Sequence, residues 1–119
     1  MVTVLTFVML SPLAQALEVR DVRFGVHPDK IRLVLDLDEA TTFRAFMLEN
    51  PQRLVIDLPA FNWKPQSINT VPDAHLSSVR QGILEPGISR IVIDLDQRLQ
   101  IYNAYMLRAG NNKSARLVI

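Results

Sequence analysis

Asp36 and Asp38, and again Asp94 and Asp96, form two D-x-D pairs in a chain of 119 residues. Paired carboxylates are the raw material of a Ca²⁺ or Mg²⁺ site, which needs several oxygens converging on one ion. Neither pair carries EF-hand-like spacing or an accompanying third ligand, so both read as charge at the ends of strands. His27 and His75 stand 48 residues apart, with neither the H-E-x-x-H spacing nor the nearby cysteines that zinc sites use. Beside Pro28 and Ala74 they read as loop residues on the surface. There is no G-x-S-x-G nucleophile elbow, and no phosphate-cradling loop among only four glycines. The absence of cysteine removes disulfides, thiolate ligands and cysteine nucleophiles together. The expectation is a non-enzymatic chain that holds no cofactor and no metal.

What remains is chemistry of binding. Arginine is the main cation, at Arg20, Arg23, Arg44, Arg53, Arg80, Arg90, Arg98, Arg108 and Arg116 among others, with Lys30, Lys64 and Lys113 secondary. Its planar fork grips carboxylates bidentately, which suits an acidic glycan or peptide. Phe43, Phe46, Tyr102 and Tyr105 lie on two equivalent strands, where a sugar ring can stack. The candidate ligand-binding residues are therefore Arg23, Arg44, Arg80, Tyr102, Tyr105 and Arg108. The competing reading makes the aromatics partly core and the arginines solvated strand faces. A formal charge of +1 gives no push toward nucleic acid or an anionic membrane.

The elements that must carry these residues follow a period of two. Strands are expected at Val19–Gly25, Lys30–Asp38, Thr42–Leu48, Arg53–Leu58, Leu76–Gly82, Ser89–Asp96, Gln100–Arg108 and Ala115–Ile119. Their spacing suits an all-β sandwich or barrel. Asn50-Pro51 and Gly110-Asn111-Asn112 are turn signals. One phrase recurs four times, as RLVLDL at Arg32, RLVIDL at Arg53, RIVIDL at Arg90 and RLVI at Arg116. Arg32 to Arg90 is an offset of 58, Val22 to Val79 one of 57, Phe46 to Tyr105 one of 59 and Arg53 to Arg116 one of 63. Blocks that keep their order while offsets drift in the loops mark a duplicated unit. The halves are about 18–59 and 76–119, joined by a connection at about 60–75 whose Phe61 and Trp63 are placed to cap a core edge.

Within each phrase the leucines point one way, into the core, and Arg, Val and Asp the other. Pairing the first two copies antiparallel, valine to valine, would set Arg32 opposite Asp57 and Asp36 opposite Arg53. Upstream, Val2–Leu10 is an uncharged apolar run too short to span a bilayer. It is followed by Ser11–Ala16, with small residues at −3 and −1 of a cut after Ala16. This has the form of a secretory signal peptide, although no Lys or Arg precedes the apolar run. Residues 1–16 are thus expected to be an export signal and 17–119 the mature chain, with no transmembrane segment.

The run from Ile31 to Pro59, IRLVLDLDEATTFRAFMLENPQRLVIDLP, resembles the AMIN domain. That module precedes the catalytic domain of periplasmic N-acetylmuramoyl-L-alanine amidases and also occurs in type IV pilus secretins. The likeness rests on Val22–Gly25, on the D-L-D strand and above all on the N-P-Q-R-L-V-I-D block at Asn50–Asp57. It extends over roughly residues 18–119. The resemblance implies two symmetric four-stranded antiparallel sheets, a periplasmic location and peptidoglycan as partner, with divisome or envelope proteins as further candidates. It implies a module that directs an amidase to the division site or, alternatively, an assembly domain of a secretin. The chain stops at Ile119, where the fourth phrase lacks its Asp-Leu. No amidase-type zinc ligands accompany it, so hydrolysis is not carried over, and a fragment of a longer parent is the expectation.

Overall fold

The computed structural model describes residues 16–68, 71, 73–110 and 114–119. The export signal expected at 1–16 therefore lies, but for Ala16, outside the described residues, as do Asn111 and Asn112 of the second turn signal. Nine strands are present: β1 (Leu17–Val26), β2 (Ile31–Leu37), β3 (Arg44–Leu48), β4 (Arg53–Pro59), β5 (Phe61–Trp63), β6 (Leu76–Glu85), β7 (Ile88–Leu95), β8 (Tyr105–Arg108) and β9 (Ala115–Val118). Eight of them fall where the alternation placed strands. The third strand of each half starts later than expected, so Phe43 and Tyr102 precede β3 and β8. Among the described residues there is no helix, and so none long and apolar enough to cross a membrane.

The strands form an all-β sandwich with sheet orders β5-β1-β2-β9-β8 and β3-β4-β7-β6. Each sheet joins the first hairpin of one half to the second hairpin of the other. The four copies of the phrase occupy the four central strands and pair across the halves, β2 with β9 and β4 with β7. The pairing of Arg32 with Asp57 and of Asp36 with Arg53 is therefore corrected: Arg53 stands opposite Asp94, Asp57 opposite Arg90, and Asp36 opposite Arg116. The rule was right and the partner strand wrong, because four near-identical phrases satisfy one another equally well. A valine still faces a valine in each pair, Val55 with Val92 and Val34 with Val118.

The registers reproduce the duplication in detail. Arg23 lies opposite Val34 as Arg80 lies opposite Val92. Even an irregularity is copied, between Val19 and Asp21 in β1 and between Leu76 and Ser78 in β6; such an extra residue sharpens local twist. At the tip of the β6–β7 hairpin Gly87 takes φ 84°, a left-handed conformation that glycine adopts without steric cost.

One departure from the expected symmetry stands out. The first sheet has five strands because β5, within the connection, pairs parallel to β1 through Leu17–Phe61 and Val19–Trp63. A lone strand would leave β1 with a bare edge, and β5 satisfies part of it. Phe61 and Trp63 pack partly buried against the core, with ring centroids 6.0 Å apart, which fulfils their expected capping role.

Between the sheets sits the leucine layer: Leu33, Leu35 and Leu37 are 4%, 0% and 1% exposed, and Leu54, Ile56, Leu58, Ile91, Ile93 and Leu117 meet them there. Leu35 and Ile93 are duplicates of each other on opposite sheets. Truncating either to Ala removes a fully buried branched side chain and should cost about 2–5 kcal/mol. Because each sheet contains strands of both halves, urea unfolding of Leu35→Ala and of Ile93→Ala is expected to stay a single transition shifted to lower denaturant. Two separate transitions in either variant would contradict the interleaved core.

Candidate functional site

The alternation that sends leucines inward sends a second set of side chains to the outer face of the four-stranded sheet. Three cross-strand rows result. One runs Leu48, Arg53, Asp94, Ser78; the next Phe46, Val55, Val92, Arg80; the third Arg44, Asp57, Arg90, Gly82. Four arginines thus share this face with two aspartates. Val55 faces away from the core yet is 1% exposed, so the side chains of these rows form a packed layer of their own.

The two aspartates each face a choice of cations. Asp57 is held by Arg90, Nε donating to Oδ1 at 2.7 Å and Nη2 to Oδ2 at 2.9 Å. Asp94 accepts two bonds from Arg80, each 3.0 Å, and a short bond from the Ser78 hydroxyl. Bidentate pairs of this geometry are the strong ones. Both carboxyl groups sit below the usual carboxylate range, Asp57 chiefly through its bond from Arg90 and Asp94 chiefly through those from Ser78 and Arg80. The bond to Asp57 holds Arg90 correspondingly above its ordinary value.

Two arginines are left over. Arg44 lies across from Asp57, whose two oxygens are already taken, and its guanidinium instead lies 4.7 Å from the centroid of the Phe46 ring. Arg90 lies over the same ring at 5.5 Å. A cation over an aromatic face is attracted by about 0.5–1 kcal/mol when exposed, so Arg44 is oriented while its donors stay free. Arg53 lies across from Asp94 and also loses the competition; its Nε is buried with no partner among the described residues. A buried donor without an acceptor costs about 1–3 kcal/mol. Arg53 stands at one end of the Arg53–Asp57 span, and Arg44 stands across from the other end. Four residues at about 3.4 Å each separate the two rows by about 14 Å, so they suit two acidic groups rather than one.

The outer face of the five-stranded sheet is related but leaner. Arg23 grips Asp36 at 2.8 and 2.9 Å, and Arg116 approaches the same carboxylate at 3.4 Å. Tyr105 ends the row of Arg23 through Val34 and Val118 and is 38% exposed.

The six sequence-derived candidates therefore divide. Arg44 and Arg80 share the outer face of the four-stranded sheet, and Arg23 and Tyr105 the opposite outer face. Tyr102 is 99% exposed ahead of β8. Arg108 lines a small recess of about 260 Å³ with Glu39, Ala40 and Ser114. Arg23 and Arg80 have their forks committed to aspartates, whereas Arg44 and Arg108 form no ion pair among the described residues. The D-x-D carboxylates are likewise engaged by the protein: Asp38 caps the Glu18 amide at 2.8 Å, and Asp96 lies 3.2 Å from Nδ1 of His75. No group of three metal-binding side chains converges among the described residues.

A family model for the AMIN domain matches residues 21–119. The chain belongs to the AMIN family. No curated protein matches it. AMIN domains are non-catalytic domains of the periplasm linked to peptidoglycan binding. For this AMIN chain the outer face of the four-stranded sheet carries four arginines and two aspartates.

The depressed carboxyls set a pH dependence. Asp57 and Asp94 bind protons less readily folded than unfolded, so the stability they contribute is present above the ordinary value of 3.8. It is lost as pH falls through their lower folded values. Thermal unfolding midpoints are therefore expected to fall on acidification below about pH 4, and less steeply in Asp57→Asn and Asp94→Asn than in the parent. Equal slopes in all three would contradict the assignment.

Proposed function

We propose that this chain is a peptidoglycan-binding module that targets a cell-wall amidase to the periplasmic division site, and that the outer face of the four-stranded sheet makes the wall contact. Arg44 carries the reading: a guanidinium 4.7 Å from the centre of the Phe46 ring that forms no ion pair among the described residues. The peptide stems of peptidoglycan bear free carboxylates, and a planar fork is matched to that group. Arg53, across from Asp94, offers a second guanidinium to a carboxylate further along the strands. Arg80 and Arg90 stay bound to their aspartates and stiffen the face around them, so the ligand meets donors already in place. The residues first singled out on the other face, Arg23 and Tyr105, and the outlying Tyr102 and Arg108, serve as secondary contacts to the same polymer.

One observation favours the alternative, an assembly domain of a type IV pilus secretin. β6 is an uncovered sheet edge, and Ile83 on it is 84% exposed; such edges pair readily with other chains.

Sedimentation with purified sacculi separates the two. The chain is expected to pellet with intact peptidoglycan at low salt and to be released as salt screens the charges. Arg44→Ala should weaken retention about tenfold, the size of one charged hydrogen bond, and Arg108→Ala much less. If the parent chain stays in the supernatant at low salt, the wall-binding reading fails and the assembly reading takes its place.

A further inference from the structure

The second half differs from the first directly across from β5. At the open mouth between the sheets, Trp63 of β5 faces β6 across a groove of about 400 Å³, lined also by Pro65, Gln66, Ser67, Val79 and Gln81. That volume lies in the about 300–1,000 Å³ range of small-molecule sites. Gln81 pairs with Ile91, a residue 0% exposed, so its side chain stands on the core-facing side of β6. Its duplicate in the first half is Phe24, opposite buried Leu33 and packed against the core. The duplicated fold thus holds an apolar ring at one copy of this position and an amide at the other.

The lining is chemically selective. It offers one indole face, the amides of Gln66 and Gln81 and the hydroxyl of Ser67, and no charged side chain. None of these polar groups makes a side-chain hydrogen bond to another described residue. An indole face takes the C–H face of a pyranose, and neutral amides and hydroxyls match hydroxyl and acetamido groups in either direction, donating or accepting. A peptide carboxylate would find no cation here. We infer that the groove between β5 and β6 is a neutral saccharide subsite, taking an N-acetylhexosamine ring stacked on Trp63 with its polar groups bonded by Gln66 and Gln81. This deepens the wall-binding reading and rests on it: the outer face grips stem carboxylates while the mouth reads the glycan.

Trp63 is the only tryptophan of the chain, so its fluorescence reports on the groove alone. The full chain titrated with the neutral trimer of β-1,4-linked N-acetylglucosamine is expected to show a saturable change in emission. Calorimetry with the same trimer should find Gln81→Leu, which restores the apolar character of the twin position, at least about tenfold weaker. A circular-dichroism melt of Gln81→Leu like that of the parent separates lost binding from lost folding, and Gln66→Ala serves as second variant if it does not. No saturable change with the trimer overturns the subsite, as does full affinity in both glutamine variants. If sacculi are still retained in that case, only the subsite falls; if sacculi are not retained either, the wall-binding reading falls with it.

Discussion

Antiparallel pairing of the R-x-V-x-D strands across the two halves is the constraint on which the rest depends. Neither half contains a complete sheet, since β2 needs β9 and β4 needs β7 as central partners. The leucine layer closes only when both junctions form. A slip of one residue at either junction would turn the leucines to solvent and the charges to the core. The opposed charges at Asp57–Arg90 and Asp36–Arg116 resist such a slip. Cross-strand pairs of opposite charge contribute about 0.2–1 kcal/mol each, so their role is to fix register more than to hold the sheets together. Hydrophobic burial does the holding.

From that register the outer face follows without further assumption. Once Val55 meets Val92, Asp57 must lie between Arg44 and Arg90, and Asp94 beside Arg53. The two aspartates take their paired bonds from Arg80 and Arg90, and Arg44 and Arg53 are left without one among the described residues. The duplication supplies a comparison for each feature. Where the four-stranded sheet has Phe46 under Arg44, the twin positions carry Tyr105 and Asn103, and Asn103 spends its side chain on the neighbouring Ala104 amide. Where the first half has Phe24, the second has Gln81. A symmetric fold needs none of these differences.

Much of the architecture was legible in the sequence. Period-two patterning located eight strands, and the repeat offsets anticipated equivalences as fine as Arg23 with Arg80. β5 escaped because its three residues, Phe61–Trp63, are too few to show a period. The strand partner was misjudged for a physical reason: a phrase repeated four times carries its own complement in every copy, so local sequence cannot name the mate. The site was legible in residue type but not in grouping. Arginine and aromatic chemistry pointed to Arg44 and to Arg80 alike. Only the three-dimensional arrangement distinguishes a fork locked on Asp94 from one left free over a ring. Trp63 and Gln81 lie eighteen residues apart in the chain and carry no shared motif, so nothing in the sequence joins them across the sandwich mouth.

The central claim is that wall recognition belongs to the outer face of the four-stranded sheet. Its most direct test is chemical-shift mapping of the ¹⁵N-labelled chain titrated with a soluble disaccharide-peptide fragment of peptidoglycan. The account predicts that the largest backbone and Arg Nε shifts cluster on Arg44, Phe46, Arg53 and Arg90 in β3, β4 and β7. Shifts that cluster instead on Arg23, Arg116 and Tyr105 of the opposite sheet, or no shifts at saturating fragment, would contradict it.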